Sequence, residues 1–117
     1  MDIGALLRKG QSQLTVEEAA RRTVEENAAI LDVREPEEWR AAHIPGAIHI
    51  PLGQLEQRLS ELPPARPLVA ACRSGSRSAD ATRFLRERGY DAANLAGGMK
   101  AWQRARLPIE PPEGEVI

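Results

Sequence analysis

Cysteine is almost absent from this chain: Cys72 is the only one in 117 residues. No disulfide can form within it, which fits a reducing cytosol. Aromatic residues are nearly as scarce, at 3% of the chain, so the core must rest on Ala, Val, Ile and Leu. Lysine occurs only at positions 9 and 100, and the other basic residues are Arg. No basic excess exists either. A net charge of -1 lacks the electrostatic signature of a nucleic-acid-binding protein. No apolar run approaches the roughly 20 residues needed to cross a bilayer. Neither nucleic acid nor a membrane is therefore an expected partner. Between Met1 and Gly10 the basic residues follow the short Ala5-Leu6-Leu7 stretch instead of preceding it, so a signal peptide is not expected there.

The residues that are present form one domain near the commonest domain size. Thr15-Val16-Glu17-Glu18 reads as a capping box that opens a helix running to about Asn27. Ala28 to Val33 reads as a strand, with Asp32-Val33-Arg34 at its exit. Glu35 to Trp39 begins a short helix, Pro36 being tolerated in its first turn. Pro45-Gly46 is a turn, and Ala47 to Ile50 a short strand. Leu52, Leu55, Leu59 and Leu62 recur at helical spacing and predict a helix over roughly 53–62. Leu68 to Ala71 and Ala92 to Leu95 read as strands, and Ser76 to Arg88 and Met99 to Arg106 as helices, with a turn at Gly97-Gly98. The core covers about residues 13–106. The short Pro-rich tail, 107–117, is expected to lie over the surface or fray. Strands alternating with helices predict an α/β fold with a mainly parallel sheet covered on both faces. Sites in such sheets lie beyond the carboxyl ends of the strands.

Cys72 stands at one of those ends. It opens the loop Cys72-Arg73-Ser74-Gly75-Ser76-Arg77-Ser78, which feeds a helix N-terminus. Free backbone N–H groups, the positive end of the helix dipole and two arginines all favour thiolate over thiol there. Asp32 and Arg34 either line the rim of this site or form an ion pair, with Glu38 as a further partner; the ion pair is the preferred reading. His43 and His49 read as structural polar residues, not metal ligands, and Trp39 and Trp102 as packing anchors. Gly97-Gly98 is read as a tight turn in preference to a pair of N–H donors to substrate.

Four stretches resemble the signatures of the single-domain rhodanese family of sulfurtransferases, in order and spacing. They are Leu31 to Trp39, His43-Ile44-Pro45-Gly46-Ala47 with Ile50-Pro51-Leu52, the Cys72–Ser78 loop, and Leu95 to Trp102. Ala42 departs from the pattern, since the family usually places Gly before the His. The resemblance implies a rhodanese fold, a mainly parallel five-stranded sheet flanked by helices, over the single domain 1–117. It implies that Cys72 takes sulfane sulfur from a small donor such as thiosulfate, a polysulfide or a persulfide. The resulting persulfide passes that sulfur to cyanide, a thiol or a sulfur-accepting protein. No cofactor and no metal is expected.

The loop residues suit this chemistry. Backbone N–H groups from Arg73 to Ser78 curl around the sulfur and stabilise an anion without a metal. Gly75 permits the tight curl. Arg73 is the candidate to meet an oxyanionic donor, while Arg77 braces the loop. Ser74, Ser76 and Ser78 complete the binding loop. Four residues separate Cys72 from Arg77, one fewer than in cysteine-dependent phosphatases, and the smaller cradle suits a single sulfur atom. The rival readings are a sulfur-relay or protein-binding module on the same fold and, further behind, a phosphatase.

Overall fold

The computed structural model describes residues 11–117; the signal-peptide expectation for Met1 to Gly10 lies outside the described residues. Five parallel strands form one sheet: β1 (Gln13–Leu14), β2 (Ala29–Asp32), β3 (Ile48–His49), β4 (Leu68–Ala71) and β5 (Ala92–Leu95), in the order β1-β5-β4-β2-β3. Four α-helices accompany them: α1 (Val16–Glu25), α2 (Pro36–Ala41), α3 (Ser76–Glu87) and α4 (Gly98–Arg104). No helix among the described residues is long and apolar enough to cross a membrane.

Alternation along the strands divides the core into two layers. Ile30, Val69, Ala71, Ala93 and Leu95 pack on one face with Val16 and Ala19 of α1 and Met99 and Trp102 of α4. Ala29, Leu31, Leu68, Ala70 and Ala92 pack on the other with Ala81 and Leu85 of α3. Small residues let the helices approach closely, which is how a core with so few aromatics closes.

The local signals act as their residues dictate. Thr15 and Glu18 form the capping box in both directions, at 3.1 and 2.9 Å. Asn27, with φ of 55°, turns the chain out of α1. Glu35 caps α2, its N–H taken by the Glu38 carboxylate at 3.0 Å. Trp39 lies stacked between His43 and His49, at 3.7 and 4.7 Å between ring centroids. Ala42 has an extended backbone, φ -171°, and so needs no glycine.

One expectation changes. The helix expected over 53–62 is instead two 3-10 segments, Leu52–Gln54 and Glu56–Glu61, with a kink at Arg58. The three-residue steps Leu52–Leu55 and Leu59–Leu62 match the three residues per turn of that helix, and Leu55 and Leu62 are the buried members. The tail does lie over the surface, but it is docked. Glu110 exchanges backbone hydrogen bonds with His43 at 2.7 and 2.9 Å. The Trp102 indole donates to the Pro108 carbonyl at 2.8 Å, and Gln103 bonds Gly114 and Val116.

Candidate active site

The site begins where β4 ends. Cys72 is 1% exposed, and the chain beyond it curls because Gly75 adopts φ +113°, a conformation that favours glycine. This curl turns N–H groups inward. The Gly75 and Ser78 N–H groups donate to Cys72 Sγ at 3.1 and 3.4 Å, and Ser78 Oγ lies 3.3 Å from it. Burial pushes the Cys72 thiol up, but the hydrogen bonds from the Ser78 hydroxyl and from the N–H groups of Ser78, Gly75 and Ser74 outweigh it. The net effect holds the thiol below the ordinary cysteine value. Arg73, Ser74 and Ser76 are exposed around this buried sulfur.

The loop is held from behind by α4. Met99 N–H donates to the Cys72 carbonyl at 2.8 Å and Lys100 N–H to the Arg73 carbonyl at 3.1 Å. Gly97 and Gly98 both have positive φ, and a Cβ on Gly98 would fall 2.5 Å from both of those carbonyl oxygens. The Gly97-Gly98 turn thus permits a close approach of two backbones. The N–H groups of α4 that follow it serve the loop's own carbonyls.

Charge around the loop is arranged in two tiers. Asp32 and Arg34 form the buried ion pair, Arg34 Nη2 to Asp32 Oδ2 at 2.6 Å, and Arg34 also donates to the Glu38 and Ala42 carbonyls at 3.2 and 2.8 Å. They stitch β2 to α2 and do not line the rim. Arg77 reaches outward to Glu38 with two parallel bonds of 2.8 Å. The Arg77 guanidinium holds the Glu38 carboxyl down at about 2, against a smaller opposing effect of burial. Glu38 in turn raises the Arg77 value, as does the charge of Cys72. Arg73 donates from Nε to the Ile117 main-chain oxygen at 3.0 Å, which brings the docked tail beside the loop.

Because the folded value of Glu38 lies below the usual carboxylate range, its pairing stabilises the fold above the unfolded value of about 4.3. That contribution is lost as pH falls through about 2. Glu38→Gln is expected to destabilise the chain by about 1 kcal/mol at neutral pH, solvent screening at the half-exposed Arg77 keeping the figure small. Denaturant curves of variant and parent are expected to converge as the pH falls from about 5 to about 2. A constant difference across that range would contradict the assignment.

Two polar residues of the site lie outside the sequence motifs. Asn94, buried on β5, donates from Nδ2 to the Gly75 carbonyl and to Gln13 Oε1, both at 3.1 Å, and its Oδ1 accepts from Ser78 Oγ at 2.6 Å. Gln13 belongs to a two-residue strand with no pattern of its own. The available signal was Asn94 itself, an amide inside the apolar run Ala92-Ala93-Asn94-Leu95 of a strand buried on both faces, which demands polar partners.

Comparison with known proteins places this geometry in context. The model of the rhodanese-like domain matches residues 15–105. A sulfurtransferase of Allochromatium vinosum is 42% identical over 90 residues, 76% of this chain and 84% of that protein. YrkF of Bacillus subtilis, whose name proposes a sulfur carrier, is 44% identical over 79 residues; these are 67% of this chain and 43% of YrkF. The crystal structure of a rhodanese-related protein from Thermoplasma volcanium superposes with a TM-score of 0.77 at 27% identity, covering 83% of this chain and 95% of that one.

Proposed function

Because the chain belongs to the rhodanese-like domain family, we propose that it is a sulfurtransferase in which Cys72 carries the sulfur as a persulfide. The observation that supports this reading is the inward set of hydrogen bonds on Cys72 Sγ. They favour an anionic sulfur at Cys72. The thiolate attacks the outer sulfur of thiosulfate, a polysulfide or a persulfide. A new Sγ–S bond forms, the donor's S–S bond breaks, and sulfite leaves with the electron pair when thiosulfate is the donor. Cyanide or a thiol then attacks the outer sulfur and returns Cys72 to thiolate. A thiolate at Cys72 needs no general base, and the thiol is held below the ordinary cysteine value. Arg77 is committed to Glu38. The exposed Arg73 is therefore the arginine that meets an oxyanionic donor, with guanidinium N–H groups left beyond the one on Ile117. The cytosol, where a single thiol stays reduced, is the compartment that suits this cycle.

YrkF favours a second reading, in which the domain relays sulfur to a partner protein and turns over thiosulfate slowly. One experiment addresses both. Intact-protein mass spectrometry without reductant, after thiosulfate or polysulfide, is expected to show a gain of one sulfur atom that maps to Cys72 and is removed by cyanide. Loading with polysulfide alone, discharged faster by a partner thiol than by cyanide, would favour the relay. No gain with either donor, on folded protein with a free thiol, would refute persulfide transfer.

A further inference from the structure

Ser78 Oγ has one proton and three acceptors within reach: Asn94 Oδ1 at 2.6 Å, Cys72 Sγ at 3.3 Å and the Gly75 carbonyl at 3.3 Å. The orientation of Asn94 is fixed by its other bonds. The Gly75 carbonyl can only accept, so the amide nitrogen must face it, and Oδ1 must face Ser78. Oδ1 can only accept in turn. At the shortest contact of the cluster the Ser78 hydroxyl therefore donates to Asn94, which leaves an Oγ lone pair toward Cys72 Sγ. That arrangement suits an uncharged sulfur and repels a thiolate. A thiolate is the stronger acceptor, because bonds to a charged atom are roughly twice as strong as neutral ones.

We infer that Asn94 is a positioning residue for sulfur transfer: its Oδ1 accepts the Ser78 O–H hydrogen bond whenever Cys72 Sγ is uncharged and yields it to Sγ when the thiolate forms. The inference rests on the persulfide reading above. In the thiolate attack on thiosulfate, the Sγ–S bond forms, the donor S–S bond breaks, and sulfite departs with the electron pair. The negative charge moves from Sγ to the outer sulfur. Sγ is then a weak, neutral acceptor, and the Ser78 proton swings back to Asn94. Asn94 thus favours the loaded state over the free thiolate, and Gln13 of β1 holds the amide from its far side. All the groups are buried except Gln13, so water does not substitute for Oδ1.

The test is a double-mutant cycle read on the thiolate itself. With one cysteine in the chain, the pH dependence of thiolate ultraviolet absorbance reports Cys72 once the tyrosinate contribution of Tyr90 is subtracted. Asn94→Leu, which leaves Sγ as the favoured acceptor of the Ser78 proton, is expected to move the midpoint down by about one pH unit. Ser78→Ala is expected to move it up. In the Ser78→Ala background, Asn94→Leu is expected to cause no further shift. An equal shift in both backgrounds would overturn the inference, since Asn94 would then act through the Gly75 carbonyl as a structural residue. No shift in either background would overturn it as well. If circular dichroism shows Asn94→Leu unfolded, Asn94→Ala carries the same cycle. Failure of the persulfide reading is separately visible: the parent chain would titrate normally yet gain no sulfur from thiosulfate or polysulfide.

Discussion

Cys72→Ser is expected to reduce thiocyanate formation from thiosulfate and cyanide to background, a loss of about 10³-fold or more. In the proposed cycle both half-reactions run through the sulfur of this side chain. A serine hydroxyl is not appreciably ionised near neutral pH, and the hydrogen bonds that lower the thiol cannot bring an alcohol into that range. Folding is expected to survive, because an oxygen accepts the same N–H groups of Gly75 and Ser78 and the substitution leaves the sheet and both core layers intact. Circular dichroism and denaturant midpoints close to those of the parent would confirm that the loss is chemical. Thiocyanate formation undiminished in Cys72→Ser would remove Cys72 from the mechanism.

The largest effect on stability is expected at Arg34. Its side chain is 0% exposed and donates to both Asp32 oxygens and to the Glu38 and Ala42 carbonyls. Arg34→Met removes all of these donors at once. The Asp32 carboxylate, buried just as deeply, keeps only the backbone N–H of residue 34 at 3.0 Å. Leaving one member of a buried pair uncompensated costs about 3–5 kcal/mol, a large share of the 5–15 kcal/mol typical of a whole domain. The double variant Asp32→Leu/Arg34→Met is expected to recover much of that loss, since well-packed apolar groups replace buried pairs at little cost. Denaturant unfolding of the three chains is the measurement. A single variant within about 1 kcal/mol of the parent would show that the pair carries little of the stability.

Much of this fold is legible in residues whose partners are near in sequence. Thr15 and Glu18 cap one another three residues apart, and Pro36 and the acids around it open α2. The β4–loop–α3 unit announces itself by an apolar run, a glycine and a helical pattern. The Leu52–Leu62 segment misled because steps of three and four residues serve both helix types, and the choice depends on which leucines the sheet buries. The docking of the tail depends on Trp102, His43 and Gln103, none of which marks a tail-binding surface in the sequence. The Asp32–Arg34 pair is legible because opposite charges flank the exit of one strand. Arg77 and Glu38 stand 39 apart, and only the placement of α2 beside the loop joins them. Asn94 and Gln13 are further apart still. Parallel pairing of β1 with β5 brings them into register, and no local pattern records that neighbourhood.

The near-complete burial of Cys72 sets a rule of reach. A sulfur atom with 1% of its residue exposed offers a folded partner nothing to grasp, so the empty form is open only to narrow reagents whose leading atom enters the loop alone. Loading changes the geometry as well as the charge. In the proposed persulfide the acquired atom would stand about 2 Å beyond Sγ, in a loop whose Arg73, Ser74 and Ser76 are exposed. On the reading proposed above the loop selects by diameter, and the same narrow approach governs the transfer in either direction.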